Sequence, residues 1–236
     1  MNLSHAAIKH IRSLGTKKGR DASGLFVVEG EKMVAEALQS RFGVEAVYRR
    51  EEIGEAAMAR ISQLSTPSPV LSVLRQEAPA ALPEQGLFLA LDGIRDPGNL
   101  GTILRIADWF GIDAVLSSPD TVELYNPKVV QATMGAIFRV RYHVSELPAA
   151  LQGLRRRGGS VYGTFLDGEN LYAQAFADAG AAPVVIVIGN EANGISGPVA
   201  ACCERRITIP RYGGGESLNA AVATALTVAE LRRRRG

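Results

Sequence analysis

The stretch "PVVIVIGNEANGISGP", residues 183–198, joins an unbroken apolar run to a loop rich in glycine and polar residues. An apolar run of strand length, without alternating polar residues, is typical of a strand that is buried on both faces of a parallel sheet. Ligands of such sheets bind beyond the carboxyl ends of the strands. The loop that begins at Gly189 is therefore a candidate for a functional site.

Similar apolar runs recur along the chain beyond residue 86. They are "LFLALD" (87–92), "AVLSS" (114–118), "GSVYGTF" (159–165) and "RRITIP" (205–210). Helix-like segments separate or follow them, at residues 99–111, 126–138, 145–158 and 217–235. This alternation predicts an α/β fold, in which helices cover both faces of a parallel sheet.

The first part of the chain predicts a second, smaller α/β unit. Its helix-like segments are residues 4–15, 31–39 and 51–64, and its strand-like segments are residues 24–30 and 44–49. Several prolines interrupt the next stretch, "STPSPVLSVLRQEAPAALPEQG" (65–86), which therefore predicts a linker. We expect one domain at residues 1–83 and another at residues 84–236.

Composition and cysteine usage exclude several classes of protein. The 236 residues are 47% hydrophobic and 21% charged, which is typical of a soluble globular protein. Cys202 and Cys203 are adjacent and the three histidines lie apart, so we expect neither a disulfide framework nor a metal site. No apolar run approaches the length of a membrane span, and the N-terminus lacks a signal-peptide core. A cytoplasmic protein without a membrane partner is predicted.

Basic residues are concentrated in three blocks, although the net charge is only +2. The first block runs from Lys9 to Arg20 and lies in a stretch without acidic residues; the others are residues 155–157 and 232–235. Each block fits either a solvated surface or a frayed terminus, or else contact with a nucleic acid. If the first block contacts a nucleic acid, we expect it to contact the phosphates.

Two of the loops that follow predicted strands combine turn residues with polar side chains. In the first, Asp96 opens a turn, Asn99 can cap the next helix, and Arg105 lies further along that helix. In the second, the spacing of Gly189 and Gly194 is that of a phosphate-binding P-loop. Ile195 stands where a P-loop has its lysine, so a P-loop nucleoside triphosphatase is excluded.

The third loop lies between the last predicted strand and the last predicted helix. Gly213 to Gly215 predict a backbone path that is closed to other residues. Glu216 and Ser217 follow at the expected start of the helix, where exposed N–H groups favour an oxygen acceptor. Small residues dominate the helix itself, which lets another chain segment pass close to it.

Together the three loops resemble the motifs of the SpoU/TrmH family of RNA 2′-O-ribose methyltransferases, within the SPOUT superfamily. The matching residues are Asn99, Gly101, Arg105, Ala107 and Asp108 in the first motif; Ile188, Gly189, Asn190, Glu191 and Gly194 in the second; and Ile209, Pro210, Ser217, Leu218, Asn219 and Ala223 in the third. The chain departs from the family pattern in having Gln131 for arginine, Thr133 for serine, Arg211 for methionine and Ala220 for valine.

The resemblance implies a C-terminal SPOUT domain whose parallel sheet carries a deep trefoil knot, and a small N-terminal α/β domain that is ribosomal-protein-like and binds the RNA substrate. It implies S-adenosylmethionine as the cofactor and a homodimer with shared active sites. The implied cofactor-binding residues are Gly189, Ile209, Leu218, Asn219 and Ala223. The implied catalytic residues are Arg105, Asn99, Glu191, Ser217 and Asn219.

The implied reaction transfers a methyl group to a ribose 2′-hydroxyl of RNA. In one version Arg105 activates the hydroxyl while Asn99 orients the guanidinium. In the other, Arg105 stays protonated, binds a phosphate and stabilises the developing alkoxide, while phosphate or water takes the proton. Glu191 either holds Arg105 or accepts the proton itself.

Several alternatives stay open at the level of sequence. The chain could be a non-catalytic RNA-binding or ribosome-assembly factor that kept the fold, or a base methyltransferase of the same superfamily. Ribosomal RNA is expected over tRNA, because family members with such N-terminal domains often act on it. Trp109 and Phe110 belong either to the core around their helix or to a dimer interface.

Overall fold

The computed structural model of the protein describes residues 3–78 and 81–234. The helices are α1 (His5–Ser13), α2 (Lys17–Ser23), α3 (Glu31–Leu38), α4 (Arg50–Ile53), α5 (Glu55–Ile61), α6 (Pro97–Trp109), α7 (Pro127–Ala132), α8 (Leu147–Arg156), α9 (Gly197–Ala200) and α10 (Ala220–Arg233). The strands are β1 (Leu25–Glu29), β2 (Val44–Arg49), β3 (Val70–Arg75), β4 (Gly86–Asp92), β5 (Ala114–Ser117), β6 (Tyr142–Val144), β7 (Ser160–Asn170), β8 (Pro183–Gly189) and β9 (Arg205–Thr208). Ala136–Phe138 forms a short 3-10 helix.

Contacts divide the chain into two compact units. The first combines the described part of Met1–Ala78 with Glu123–Arg139, and the second combines the described parts of Pro79–Val122 and Val140–Gly236. A segment from the middle of the chain therefore packs with the N-terminal elements. The division into sequence domains at residues 1–83 and 84–236 stays a prediction.

The first unit is built on a three-stranded antiparallel sheet in the order β1-β3-β2. Its central strand, β3, lies within the stretch 65–86, so the prediction of a linker there was wrong for residues 70–75. Prolines on either side of the strand concealed its apolar run. The prediction of one helix at residues 51–64 was also wrong. The segment forms two helices, α4 and α5, because Gly54 between them adopts a φ of 83°.

The segment Glu123–Arg139 contributes side chains to the core of the first unit. Val130, Ile137 and Phe138 are buried in one cluster with Phe26 and other residues of the small sheet. The helix predicted at residues 126–138 breaks after α7, since Met134 and Gly135 adopt φ values of 49° and 94°. The break allows both α7 and the 3-10 helix to direct apolar side chains into this core.

Arg20 is also a core residue of the first unit. Its side chain is 2% exposed, and its Nε and Nη2 donate to the two carboxylate oxygens of Glu123 at 2.9 Å and 2.6 Å. Its Nη1 donates to the carbonyl of Leu14 at 2.7 Å. The expectation that the whole basic block contacts phosphates is therefore wrong for Arg20. Lys9, Arg12 and other cations of the block are exposed.

The second unit contains a six-stranded sheet in the order β6-β5-β4-β8-β7-β9, and all its pairs are parallel. Leu147, Leu151 and Leu154 of α8 pack on one face of this sheet, in a cluster with Val185 and Val187 of β8. Helix α10 contacts both β8 and α6. The predicted α/β fold with a covered parallel sheet is confirmed, although β6 was not predicted.

The C-terminal basic block is described as far as Arg234, and Arg235 lies outside the described residues. Arg232 Nε donates to the carbonyl of Phe110 at 2.7 Å, at the end of α6. Glu230 is 6% exposed. Its carboxylate accepts hydrogen bonds from Nε of Arg233 at 2.8 Å and from Nε of Arg234 at 2.6 Å. These arginines hold the pKa of Glu230 down to about 2. Interpreting the block as a frayed terminus was therefore wrong for these three arginines.

Candidate active site

Three loops of the second unit leave the carboxyl ends of β4, β8 and β9. Strands β4 and β8 are neighbours, and their last residues, Asp92 and Gly189, are paired in register. Strand β9 lies at the edge of the sheet, beyond β7. Since all these strands are parallel, the three loops emerge at the same edge of the sheet, where ligands of open α/β sheets bind.

The first loop ends at the N-terminus of α6, and Asp96 is the capping residue. Its Oδ1 accepts a hydrogen bond from the main-chain N–H of Asn99 at 2.8 Å, and Pro97 occupies the first helical turn. The expectation that Asn99 caps this helix was wrong. Because Asp96 satisfies the helix N-terminus, the Asn99 side chain is left available for contacts with the other loops.

The side chain of Asn99 connects all three loops. Its Nδ2 donates a short hydrogen bond to Oε1 of Glu191 in the second loop. Its Oδ1 accepts from Nδ2 of Asn219, at the end of the third loop, at 2.8 Å. An amide is suited to this position, since it offers a donor to a carboxylate and an acceptor to another amide. Thus Asn99, Glu191 and Asn219 lie together, as members of one hydrogen-bonded chain.

The second loop is held against the first by Asp92 and Asn190. Asp92 Oδ2 accepts from the N–H of Ser196 at 2.7 Å, and Asn190 Nδ2 donates to the carbonyl of Gly93 at 2.8 Å. Oδ1 of Asn190 also accepts from the N–H of Ala192 at 2.9 Å, inside the loop. Sequence reasoning missed Asp92, although a carboxylate at the end of the apolar run "LFLALD" was a usable signal.

Gly189 is required by the close return of the second loop. Main-chain hydrogen bonds join Asn190 and Gly194 in both directions, at 3.1 Å and 2.8 Å. A Cβ at position 189 would lie 2.3 Å from the carbonyl carbon of Gly194, a distance that no real Cβ contact shows. Any larger residue would therefore displace the loop that carries Glu191.

The third loop is exposed, and α10 begins only at Ala220. Asn219 caps the helix, since its Oδ1 accepts from the N–H groups of Ala221 and Val222 at 2.9 Å and 3.3 Å. Ser217 therefore precedes the helix, contrary to the prediction that the helix starts there. Its hydroxyl makes no hydrogen bond with any other residue that the structure describes.

The glycines of the third loop do not adopt the conformation that we expected. None of Gly213, Gly214 and Gly215 has a φ in the left-handed region, and a Cβ on any of them would meet open space. The prediction of a backbone path closed to other residues was wrong for this conformation. Three consecutive glycines instead give the loop a large conformational freedom.

Arg105 is exposed on α6 and stands apart from the chain formed by Asn99, Glu191 and Asn219. Within the described residues its guanidinium makes no hydrogen bond or ion pair, so Glu191 binds Asn99 and does not hold Arg105. Trp109, one helical turn further on, is 85% exposed, so of its two alternatives the core of this chain was wrong. Both side chains face solvent on α6 in this chain.

The residues expected to bind the cofactor surround the same edge of the sheet. Gly189 ends β8, and Ile209 directly follows β9. Leu218 is 48% exposed in the third loop, and Ala223 lies half-buried in the first turn of α10. In the described chain, none of the main-chain N–H groups of residues 211–218 donates a hydrogen bond. They are available to a ligand with carbonyl, carboxylate or ring-nitrogen acceptors.

Two further observations concern the described residues as a whole. No helix among them has the length and apolar character needed to cross a membrane. No group of three or more histidine, cysteine, aspartate or glutamate side chains, in the parts of the chain that the structure describes, is placed to hold a metal ion.

Comparison with known proteins identifies the family. The family model of the SpoU rRNA methylases matches residues 86–229, and the model of the MRM3-like substrate binding domain matches residues 5–76. The 23S rRNA (guanosine(2553)-2′-O)-methyltransferase RlmP of Bacillus subtilis is 31% identical, over 95% of each chain. These matches agree with the three motifs.

Solved structures give the same result. A Porphyromonas gingivalis protein assigned to the TrmH family of RNA methyltransferases is 39% identical, with a TM-score of 0.91 over 98% of this chain and 99% of that one. The AdoMet-bound rRNA methyltransferase from Sinorhizobium meliloti is 27% identical, with a TM-score of 0.86 over 99% of this chain and 98% of that one. The motifs, the parallel sheet and these relatives lead to one conclusion: the chain belongs to the SpoU rRNA methylase family.

Proposed function

We propose that the protein transfers a methyl group from S-adenosylmethionine to a ribose 2′-hydroxyl of ribosomal RNA. The observation that carries the proposal is the position of Asn99, whose one side chain joins the three loops that bear the family motifs. Ribosomal RNA is favoured over tRNA because the Bacillus subtilis relative, which matches along nearly its whole length, is named as a 23S rRNA methyltransferase.

The cofactor-binding residues that we propose are Gly189, Ile209, Leu218, Asn219 and Ala223. The exposed third loop supports this, because its unpaired main-chain N–H groups fit the acceptors of an adenine ring and a carboxylate. When bound, S-adenosylmethionine supplies a methyl group that its sulfonium makes electrophilic. The deep trefoil knot of the SPOUT fold is part of the same proposal, since it would place the third loop beside the second.

S-adenosylmethionine held by these residues would supply the methyl group to the ribose 2′-oxygen and would be left as a neutral thioether. Arg105 keeps its proton and donates hydrogen bonds to the RNA, stabilising negative charge that develops on the 2′-oxygen. Asn99 donates a hydrogen bond to Oε1 of Glu191 and thereby fixes this carboxylate. The other carboxylate oxygen of Glu191 can accept the proton of the 2′-hydroxyl, as can phosphate or water. Ser217 is proposed to hydrogen-bond the ribose.

We further infer a homodimer in which Arg105 serves the partner's cofactor site. Arg105 and Trp109 lie one turn apart on the exposed surface of α6, and Val222 and Leu226 are 47% and 37% exposed on α10, which contacts α6. Exposed apolar side chains on two neighbouring helices are typical of an interface. Sedimentation velocity should detect a dimer that Trp109→Glu converts to a monomer, whereas an unchanged dimer would contradict this surface.

The N-terminal domain, residues 1–83, is proposed to bind the RNA substrate. The match of residues 5–76 to a substrate-binding domain supports this, as does the exposure of Lys9, Arg12 and Lys18. Replacing these three residues with alanine should weaken RNA binding and reduce its salt dependence, by about 0.7 in log–log slope for each phosphate contact to a single strand that is lost. The cytoplasmic location expected from the sequence stays a prediction.

The function can be tested with the purified protein. Isothermal titration should show binding of S-adenosylmethionine, and a labelled methyl group should pass to ribosomal RNA from cells that lack the gene. Transfer to tRNA alone would contradict the proposed substrate. Binding of the cofactor without transfer to any RNA would favour the alternative of a ribosome-assembly factor that kept the fold.

A further inference from the structure

Tyr212, in the third loop, is the most exposed of the large apolar side chains in the described chain. Its side chain is 93% exposed, compared with 85% for Trp109 and 79% for Leu166. Among the described residues it has no hydrogen-bond partner and makes no ring contact. A tyrosine ring that is hydrated in this way adds little to the core, so its possible role depends on the loop that carries it.

The loop that carries Tyr212 belongs to the proposed active site. It begins where β9 ends and finishes at Asn219, whose Nδ2 donates to Asn99. Gly213 to Gly215 directly follow the tyrosine, and a Cβ on any of them would meet open space. The ring therefore stands on a flexible segment next to the residues proposed to align the ribose, where it can adapt to a nucleotide.

Arg211 places a positive charge next to Tyr212 in the chain. One of its terminal nitrogens, Nη1, donates to the carbonyl of Gly215 at 3.2 Å, which bridges the loop. The remaining N–H groups of Arg211 stay free to bind a phosphate. The SpoU/TrmH pattern has methionine at this position, so the arginine next to the tyrosine in sequence is a feature of this chain.

We propose that Tyr212 stacks on an unpaired base of the RNA, next to the nucleotide whose ribose is methylated, while Arg211 binds an adjacent phosphate. Proteins recognise single-stranded RNA by this combination, in which bases splayed out of a loop stack on aromatic rings and the backbone meets cations. The inference rests on the proposed function for the identity of the site. It adds a residue of the third loop that contacts the base next to the methylated nucleotide.

The test compares Tyr212→Ala with Tyr212→Phe and with the matched control Tyr172→Ala, which removes a ring that is 45% exposed elsewhere in the second unit. Each full-length variant is titrated, with fluorescence anisotropy as the readout, against a labelled RNA hairpin with an unpaired loop and against the duplex of its stem. Loss of one stacked base predicts that Tyr212→Ala binds the hairpin about 5- to 150-fold more weakly. Tyr212→Phe, Tyr172→Ala and binding to the duplex should be unchanged.

Other results would overturn the inference. Equal binding of the hairpin by Tyr212→Ala and the wild type would show that the ring touches no base. A weakened affinity for S-adenosylmethionine would place the ring on the cofactor, and a loss of the dimer would place it at the subunit interface. If the wild type binds the hairpin through Tyr212 but methylates no RNA, the proposed function fails while the stacking site stands.

Discussion

Replacing Asn99 by aspartate perturbs the candidate site with almost no change in size. In the wild type, Oε1 of Glu191 accepts a hydrogen bond from the Asn99 amide. The aspartate keeps an oxygen acceptor for Asn219, but it turns a carboxylate oxygen toward Oε1 of Glu191. The substitution therefore converts an attractive contact between two loops into a repulsive one. We expect Asn99→Asp to separate the second loop from the first.

The cost of Asn99→Asp to the free energy of unfolding has two contributions, the lost hydrogen bond and the new repulsion. A hydrogen bond to a charged group contributes about 1.5–3 kcal/mol, and two unit charges about 3 Å apart repel by about 1.4 kcal/mol in bulk water. Asn99 and Glu191 are both half-buried, so solvent screens part of this, and about 2 kcal/mol is a reasonable net cost. For a chain of this length that corresponds to a fall in Tm of about 4–8 °C.

The effect on catalysis should be larger than the effect on stability. Misplacing a reacting group by about 1 Å can reduce a rate by about 100-fold. Methyl transfer by Asn99→Asp, measured at saturating RNA and cofactor, should therefore fall about 100-fold or more, and at least as far as in Asn99→Ala. Asn193→Ala is the control, because the Asn193 side chain shares the second loop and makes no hydrogen bond with a described residue. A wild-type rate and Tm for Asn99→Asp would refute the alignment role.

Further substitutions test the other parts of the site and of the fold. Arg105→Ala should keep its affinity for S-adenosylmethionine within a few-fold and lose about 10²–10³-fold in methyl transfer, whereas a wild-type rate would make Arg105 an ordinary surface residue. Gly189→Ala should lower the Tm and weaken cofactor binding, because its Cβ would collide with Gly194; Gly197→Ala, where a Cβ meets open space, should do neither. Burial raises the pKa of Glu29 above its usual 4.5. The contribution of Glu29 to the free energy of unfolding therefore declines as the pH rises above 4.5, because the folded state resists losing the proton. The Tm of Glu29→Gln relative to wild type should therefore increase between about pH 4 and pH 7, and a constant difference would contradict the raised pKa.

The larger sheet could be predicted because its strands are buried on both faces. A strand such as β8 has to be apolar at every position, and this pattern is visible without any knowledge of its neighbours. The loops that follow these strands could be identified for the same reason. Strand β3 was missed because prolines on both sides of it gave the stretch the composition of a linker.

Features that depend on distant partners could not be predicted. Arg20 looked like one more surface cation, and only its pairing with Glu123, which is 103 positions away, makes it a core residue. Aspartate and asparagine are equally favourable residue types at a helix N-cap, so the sequence does not decide between Asp96 and Asn99. The choice depends on the path by which the main chain enters the helix. The joining of Asn99 to Asn219 likewise connects positions 120 residues apart, and no local pattern encodes it.

Analysis of the nucleosides of methylated RNA tests the central claim most directly. Ribosomal RNA from cells without the gene is incubated with the purified protein and methyl-labelled S-adenosylmethionine, digested to nucleosides and separated by mass spectrometry. A methyl group on the ribose 2′-oxygen is the predicted product, and it should form about 10²–10³-fold more slowly in a parallel reaction with Arg105→Ala. A methyl group on a base, or no labelled nucleoside from the wild-type protein, would contradict the assignment of this site to ribose methylation.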